Sequence, residues 1–294
     1  MKFSLFAHME RNDPGEPYDA LYREFVSLCQ LADGGGFSTI WTGEHHGMDF
    51  TITPNPFLTL IDLAHRTQNV RLGTGAVVAP FWHPIRLAGE AAMADLVTGG
   101  RLELGLARGA YTFEYERIGG GIDATSASER LREMVPALRG LWKGDYAHDG
   151  NHWKFPSTTA IPKPPTSSGP PLWIAARDPA SFEFATTNAC NIQITPLWND
   201  DAEVETLVSR YRQTLNATTA PERPKLMLLR HVFVGETEDE LEQGARDLGR
   251  FYCNFATWFQ NKHPVSQGQL VELTSPEIAA MDMFTSVKMR NNLV

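Results

Sequence analysis

Three adjacent ionisable residues, Glu44, His45 and His46, are the strongest candidates for chemistry in this sequence. They follow a strand-like run, Thr39–Thr42, and in parallel α/β folds the loops at the carboxyl ends of strands carry the ligand-binding groups. A carboxylate beside two imidazoles can transfer protons or bind a metal ion, although no HExxH motif follows to complete a zinc site. The structural alternative is that one imidazole hydrogen-bonds to backbone carbonyl groups and the other is solvated.

Two further positions could bind an anion. Arg108 follows the strand-like run Leu102–Ala107, and the absent side chain of Gly109 would let a ligand approach the backbone. A guanidinium group suits phosphate or carboxylate, and the alternative is a surface ion pair. Asp178 and Ser181 flank a predicted helix start, where free amides attract anions. Asp178 would equally serve as an N-cap and would repel a phosphate, so the structural interpretation is the stronger one there.

Glycines inside a predicted strand, Gly73 and Gly75 in Leu72–Val78, are a third unusual feature. Glycine weakens a strand unless something packs closely against its backbone, and the close neighbour could be a ligand or a helix. Several aromatic residues at or beside strand ends would also suit a planar or apolar ligand, although Trp is equally common in barrel packing. They are Trp41, Phe81, Trp82, Trp173 and Trp198.

Alternating strands and helices would position all of these residues. The strand-like runs cover residues 2–7, 39–42, 72–78, 102–107, 172–175, 191–195 and 226–234. Helical signals occur at residues 18–32, from Pro56, from Pro84, from a Ser126–Glu129 capping box, from Pro179, at 202–215 and from Thr237 to about Phe259. The alternation predicts a parallel sheet with helices outside it.

The best match to this order is a (β/α)₈ barrel, the TIM barrel, formed by residues 1–294 as a single domain. An eighth strand–helix unit is absent from the sequence, so we expect the chain to stop short of its natural C-terminus. Residues 143–171 are rich in Gly, Pro, Ser and Thr, and a loop of this length predicts a lid or an insertion.

Composition excludes several classes of protein. The net charge is −9 and no basic run is present, which argues against nucleic-acid binding. The three cysteines lie far apart, which favours reduced thiols and disfavours a zinc site, so no metal is expected. No run approaches the roughly 20 apolar residues of a membrane helix, and the N-terminus lacks a signal-peptide pattern. We therefore expect a cytoplasmic protein without membrane contact.

The chain resembles the bacterial luciferase-like flavin-dependent monooxygenases over most of its length. The resemblance is carried by GFSTIWTGEHH, PNPFLTLIDLAHRTQNVRLGTGAVV, HPIRLAGEAAMADLVTGGRLELGLARG and PLWIAARDPASFEFA. It implies a barrel that binds reduced FMN supplied by a separate flavin reductase. It also implies oxygenation of a small organic substrate with O₂ through a C4a-peroxyflavin, and a homodimer.

The resemblance also implies roles for individual residues. By motif position, Glu44, His45 and His46 form the polar wall beside the isoalloxazine ring, with His45 as the acid–base residue. Gly75 and Ala76 correspond to a non-prolyl cis peptide that supports the ring.

The flavin phosphate is expected at a second group of residues. Arg108 and the backbone around Gly109 and Ala110 correspond to phosphate contacts, joined by Asp178 and Ser181. Relatives often have another pair before this helix, so the assignment of Asp178 is the weakest.

Two other functions remain open at this point. A deazaflavin-dependent dehydrogenase on the same barrel would transfer hydride without oxygen. A non-catalytic flavin-binding subunit is the other alternative, but it would be expected to lose the cluster of Glu44, His45 and His46, which this chain retains.

Overall fold

Parallel strands alternate with helices through most of the chain. The computed structural model describes residues 1–11, 13–197, 199–217, 223–260 and 264–271. Its strands are β1 Leu5–Phe6, β2 Thr39–Thr42, β3 Arg71–Thr74, β4 Val77–Val78, β5 Leu102–Ala107, β6 Tyr146–Asp149, β7 Lys154–Thr158, β8 Leu172–Ala175, β9 Asn191–Ile194, β10 Leu226–Leu228, β11 Val265–Ser266 and β12 Gln269–Leu270. Its α-helices are α1 Tyr18–Gly34, α2 Pro56–Arg66, α3 Pro84–Val97, α4 Thr112–Arg117, α5 Ala124–Lys143, α6 Pro179–Thr187, α7 Asp201–Ala217 and α8 Glu238–Gln260.

The main sheet has the order β1-β2-β3-β5-β8-β9-β10, with β4 paired to β5, and every pairing is parallel. Apart from β4 and the β6–β7 hairpin, strands that follow one another along the chain also lie side by side in the sheet. This is the arrangement of a barrel wall. The α/β class and the barrel-type parallel sheet expected from the sequence are confirmed. The expected absence of an eighth unit concerns the C-terminal end, and residues 272–294 lie outside the described part of the chain.

The largest apolar cluster lies between this sheet and the helices outside it. Helix α3 contributes Leu87, Ala88, Ala91 and Ala92, all fully buried. Because alanine side chains are small, the inner face of α3 can pack closely against the sheet, where it contacts β5.

The amino end of the barrel interior is filled by large side chains. The rings of Trp41 and Trp173 pack edge to face at 5.3 Å, and Trp173 Nε1 donates to Glu103 at 2.6 Å. Arg71 pairs with the same carboxylate. A Cβ at Gly73 would overlap the ring of Trp41. The close neighbour that requires glycine at position 73 is therefore an indole, not a ligand or a helix.

Some predicted boundaries are wrong. The strand expected at residues 72–78 is divided into β3 and β4, and the run expected at 226–234 ends at Leu228. Leu229 N still donates to Ile194 O at 2.9 Å, but Ile194 is the last residue of β9, so the neighbouring ladder ends there. The first strand is short for a similar reason, because its pairing is limited to Leu5 and Phe6.

Helix α5 begins before the predicted capping box. Asp123 is the N-cap, and its Oδ1 accepts a hydrogen bond of 2.7 Å from the backbone N of Ser126. Ser126 is thus the third helical residue and cannot be the cap. Aspartate caps a helix as well as serine does, and two capping signals three residues apart compete locally.

Residues 143–171 contain an antiparallel hairpin of β6 and β7, which the loop-rich composition did not predict. Glu133 of α5 holds it in place, accepting from the backbone N of His152 and Trp153 and lying 2.8 Å from His148 Nε2. None of the helices in the described residues has the length and apolar character needed to cross a membrane.

Candidate active site

Glu44 is a buried carboxylate at the carboxyl end of β2, and its exposed fraction is only 2%. It accepts a 2.8 Å hydrogen bond from the backbone N of Val78, and Trp82 Nε1 lies 3.0 Å from both of its oxygens. These hydrogen bonds give both oxygens of the buried carboxylate a partner. Glu44 therefore connects β2 to the segment that follows β3.

His46 lies against this carboxylate, with its Nε2 2.7 Å from Glu44 Oε1. Burial alone would lower the pKa of His46, but the hydrogen bond and charge of Glu44, with a smaller effect of Glu114, raise it above the ordinary value. The ring also packs edge to face on Phe81. His46 is thus a partly buried imidazole whose protonated form is favoured by Glu44 and whose ring is held in place by Glu44 and Phe81.

His45 has a different partner, Glu114 of helix α4. Its Nδ1 lies 3.0 Å from Glu114 Oε2, while Oε1 of the same carboxylate accepts a 2.7 Å hydrogen bond from the backbone N of His46. Glu114 is 1% exposed. One buried carboxylate therefore orients the imidazole of His45 and fixes the backbone of the loop. Sequence reasoning missed Glu114, which belongs to a short helix that carries no amphipathic signal.

His8, Phe50 and Tyr111 surround the other side of His45. The ring centroids of His45 and Tyr111 are 5.2 Å apart, and those of His45 and Phe50 are 5.3 Å apart. Burial lowers the pKa of His8 to about 3, with further contributions from His45 and His231. Within the described residues, His8 Nδ1 and the Tyr111 hydroxyl are buried without a hydrogen-bond partner. Unsatisfied buried polar atoms are costly, so a ligand that hydrogen-bonds to these two atoms would be stabilised here.

The Gly75–Ala76 peptide between β3 and β4 is cis, and it lies next to this cluster. Gly75 N donates to Thr42 O at 2.8 Å, and a Cβ at Gly75 would approach the ring of Phe6 to 2.5 Å. The resemblance implied this cis peptide, and sequence reasoning based on the two glycines alone did not.

Arg108 and Gly109 form the loop that follows β5. Gly109 has φ +86°, and a Cβ there would lie 2.9 Å from Val78 Cγ1, so glycine is required on both grounds. Tyr115 donates from its hydroxyl towards the carbonyl oxygens of Arg108 and Gly109 at 3.0 and 2.9 Å. The Arg108 side chain is exposed, and no ion pair joins it to another described residue. The surface salt bridge considered as its alternative is therefore not formed in this part of the chain.

Asp178 and Ser181 lie in the adjacent loop, since β8 pairs with β5 through Leu106 and Ile174. Asp178 Oδ1 accepts from Ser181 N at 3.0 Å and caps α6. Burial would raise the pKa of Asp178, but the hydrogen bonds from Ser181 outweigh it and lower the pKa. The Ser181 hydroxyl accepts from Arg177 N at 3.1 Å and donates to Asp178 O at 2.7 Å. Both side chains thus serve the helix start.

A cavity of about 2330 Å³ brings nearly all of the predicted residues together. Its wall includes Glu44, His45, Gly75, Ala76, Arg108, Gly109, Ala110, Asp178 and Ser181. His46 is not part of this wall, and its ring lies against Glu44 and Phe81. Sites for small molecules commonly span about 300–1,000 Å³, so a flavin and a substrate both fit.

The residues present suit a flavin. An exposed guanidinium without an ion pair can bind a phosphate, and the buried unpartnered atoms of His8 and Tyr111 can bind a polar ring edge. The predicted aromatic mouth is only partly formed at this cavity. Trp41 and Trp173 line its inner end, whereas Trp82 is bonded to Glu44, and Trp198 lies outside the described residues.

The sequence profile of the family described as luciferase-like monooxygenase matches residues 1–291. The chain belongs to this family. A relative from Acinetobacter baylyi, the oxygenase component of flavin-dependent trigonelline monooxygenase, is 53% identical over 294 residues, which are 100% of this chain and 82% of the relative. The chain is therefore a flavin-dependent monooxygenase, as its resemblance implied.

Several solved structures share the fold. The monooxygenase RslO1 from Streptomyces bottropensis superposes with a TM-score of 0.80 at 28% identity, covering 88% of this chain and 80% of that one. The oxygenating constituent of 3,6-diketocamphane monooxygenase from Pseudomonas putida, in complex with FMN, gives 0.72 at 19% identity over 89% and 74%. An F420-dependent secondary alcohol dehydrogenase gives 0.77 at 14% identity over 100% and 84%, so the fold alone does not choose the cofactor.

Proposed function

We propose that this chain is the oxygenase component of a two-component monooxygenase that uses reduced FMN and O₂ to oxygenate trigonelline or a close analogue. The observation that carries the proposal is 53% identity over all 294 residues with the oxygenase component of a trigonelline monooxygenase. The term component implies a separate reductase, which would deliver the reduced flavin. Trigonelline is a planar pyridinium ring with an N-methyl group and a carboxylate, and the cavity can accommodate it beside a flavin.

The flavin phosphate would bind at the loops after β5 and β8. Arg108 supplies a positive charge, and the backbone N of Ala110 supplies a hydrogen bond. The hydroxyl of Ser181 supplies a second one by rotating its hydrogen from Asp178 O to the phosphate. Gly109 keeps the loop close to Val78, so the backbone is accessible to the ligand. Asp178 contributes indirectly, because it caps the helix that positions Ser181.

Bound reduced flavin would supply two electrons, so that one oxygen atom of O₂ enters the substrate and the other leaves as water. The chain's own residues supply orientation and proton transfer. Glu114 holds Nδ1 of His45, which leaves Nε2 of the same ring to exchange a proton with a bound group in the cavity. Glu44 and His46 position this loop rather than contact the substrate.

We further propose a cytoplasmic homodimer. Cys29 and Cys190 are buried free thiols, as expected for a reducing compartment. Helices α1 and α2 pack together and carry Leu31, 73% exposed, and Leu58, 68% exposed, which an interface between two copies would cover. Sedimentation velocity should give a dimer for the wild type and a monomer for Leu58→Asp, and a monomeric wild type would contradict this.

The decisive experiment combines the purified chain, a flavin reductase with NADH and FMN, trigonelline and ¹⁸O₂. We expect one labelled oxygen atom in the product, and NADH consumption that rises with trigonelline above the rate of free flavin autoxidation. A reaction that proceeds without O₂ and with a deazaflavin cofactor would favour the dehydrogenase that shares this fold. Absence of labelled product with full-length protein that binds FMN would contradict the proposed substrate.

A further inference from the structure

Glu10 is a carboxylate in the cavity wall that the proposed chemistry does not use. It lies between two residues that pair with the loop before α2. Ile52 N donates to Met9 O at 3.2 Å, and Arg11 N donates to Asp49 O at 2.9 Å. Met9 is buried in the core, whereas Phe6, His8 and Glu10, spaced by two residues, all line the cavity. The backbone of this segment is thus fixed, and Glu10 is presented to the cavity.

No cation balances this carboxylate in the described residues. Glu10 has no ion pair or hydrogen bond there, and burial, which is unopposed, raises its pKa to about 8. Arg11 is engaged with Asp49 at 2.8 Å and cannot serve as its partner. Glu10 is only partly exposed. A carboxylate that is shielded from water and has no counter-ion favours a ligand that brings a positive charge.

Four aromatic side chains line the same cavity, and we call them the aromatic wall: Phe50, Tyr111, Phe251 and Phe255. Their ring centroids are 5.7 Å apart for Phe50 and Phe255 and 5.8 Å for Tyr111 and Phe255. Glu10 is close enough to Tyr111 for its charge to raise the pKa of that phenol. The aromatic wall and the carboxylate therefore belong to one region.

This region adjoins the polar wall. His45 packs edge to face on both Phe50 and Tyr111. A ring bound against the aromatic wall would consequently lie within reach of the residue proposed to exchange protons.

A quaternary ring nitrogen has no N–H group, so hydrogen bonds cannot recognise it. It can be recognised only by negative charge and by the faces of aromatic rings, which attract cations. We propose that Glu10 and the aromatic wall form the subsite for the positively charged ring of the substrate, and that they select N-methylpyridinium compounds over uncharged pyridines. This inference rests on the proposed function, because it assigns a binding site to the proposed class of substrate.

Binding of a cation would displace the proton from Glu10. The titratable and charged groups that also line this part of the cavity are Glu44, Tyr111, Tyr252, His8, His45, His231 and Arg230. Burial raises the pKa of Tyr111 well above its ordinary value and lowers those of His8 and His231 to about 3 and about 4. Near pH 7 Tyr111, His8 and His231 keep their charge states. The comparison of the wild type with Glu10→Gln then distinguishes a proton released by Glu10 from one released by His45.

The test is isothermal titration calorimetry of trigonelline and of nicotinate, without reductant so that no turnover occurs. The proteins are the wild type, Glu10→Gln and the control Glu24→Gln, whose carboxylate is exposed on α1. We expect Glu10→Gln to bind trigonelline at least about tenfold more weakly, with little change for nicotinate, and Glu24→Gln to match the wild type. Titrations in buffers of different ionisation enthalpy should show proton release for the wild type at pH 7, and none for Glu10→Gln.

A second variant, Phe255→Leu, keeps the carboxylate and removes one aromatic face, and it should weaken trigonelline binding by about two- to fivefold. Trigonelline affinity or proton release that is unchanged in a folded Glu10→Gln protein would overturn the subsite. Turnover of trigonelline by that variant with wild-type KM would also overturn it and would leave the proposed function intact. If the wild type binds N-methylpyridinium but does not oxygenate trigonelline, the subsite stands and the proposed substrate fails.

Discussion

The imidazole of His45 lies 3.0 Å from the carboxylate of Glu114, although 69 residues separate them in the chain. The second oxygen of Glu114 accepts from His46 N at 2.7 Å, so a single buried side chain fixes both the ring and the loop that carries it. A carboxylate in this position fixes the orientation of the imidazole and determines which ring nitrogen faces the cavity.

Replacement of Glu114 by Gln should therefore affect the chemical step more than flavin binding. The amide has the same shape but no charge, so the hydrogen bond that holds His45 Nδ1 becomes a weaker, neutral one. We expect the single-turnover oxygenation rate to fall by about 10- to 100-fold, and the Kd for FMN to change by less than about twofold. Stopped-flow oxidation of pre-reduced enzyme measures the first, and fluorescence titration measures the second.

Glu116→Gln on the same helix is the matched control, because its side chain is 55% exposed and lies outside this network. It should behave as the wild type. An unchanged rate and an unchanged pH profile in a folded Glu114→Gln protein would show that Glu114 is not a positioning residue.

Arg108→Ala should weaken binding of FMN but not of riboflavin, which has the same ring system without the phosphate. Loss of a hydrogen bond between charged groups costs about 1.5–3 kcal/mol, which corresponds to an affinity about 10- to 100-fold lower. Fluorescence quenching titrations with both flavins measure this difference. Arg23→Ala, in an exposed pair on α1, is the control. Equal weakening for both flavins would place the effect of Arg108 on the fold rather than on the phosphate.

The local part of this site could be predicted from the sequence. The cluster of Glu44, His45 and His46, together with Arg108, follows strand-like runs, and the polar ends of parallel strands meet at one edge of a barrel. For Asp178, the residues alone favoured the N-cap, and the structure has that cap. These inferences depended only on residues that are close together in the sequence, so they could be made without the structure.

The remaining part depends on contacts between distant segments. Glu114 is in a helix of six residues, too short to show a period, and nothing near it indicates a histidine partner. For His8 and Glu10 a signal existed, because the alternation Phe6, His8, Glu10 continues the first strand and would place all three on one face. The absence of a cation near Glu10 could be learned only from the packed structure.

The free energy of unfolding should fall as the pH decreases below 6.5, because of His8 and His231. Their pKa values in the fold are lowered to about 3 and about 4, so the unfolded chain takes up protons that the folded chain does not. Each ring should contribute a loss on the order of 1 kcal/mol per pH unit, until the pH reaches its folded pKa. A fully buried ring would lose about 1.4 kcal/mol per pH unit. The expected loss is smaller here because both rings border a cavity open to solvent.

Urea unfolding at pH 7, 6 and 5 measures this dependence. His231→Asn should show a smaller loss between pH 6.5 and 4 than the wild type. His65→Asn changes an exposed ring on α2 and should leave the slope as it is. Parallel curves for the wild type and His231→Asn would contradict the proposed origin of the acid sensitivity.

Gly105→Ala should be among the most destabilising single-methyl changes in the barrel. Thr74 Oγ1 donates to Gly105 O at 2.7 Å and accepts from Gly105 N at 2.8 Å, so the two strands are in very close contact. An added Cβ would overlap Thr74 O, and it would lie 2.7 Å from Gln193 Nε2, which itself donates to Thr74 O at 3.2 Å. Backbone atoms cannot move aside as a flexible side chain can.

We expect a loss of about 2–4 kcal/mol in the free energy of unfolding of Gly105→Ala, measured by urea denaturation. Flavin binding should weaken as well, because Thr74 directly precedes Gly75, which lines the cavity. Gly34→Ala is the control, since nothing lies within 4 Å of a Cβ at that end of α1, and alanine there should be neutral or stabilising by about 0.5–1 kcal/mol. If Gly105→Ala unfolds at the same urea concentration as Gly34→Ala, then β3 and β5 tolerate a wider separation. The Thr74–Gly105 contact would then not determine the position of Gly75 in the cavity wall.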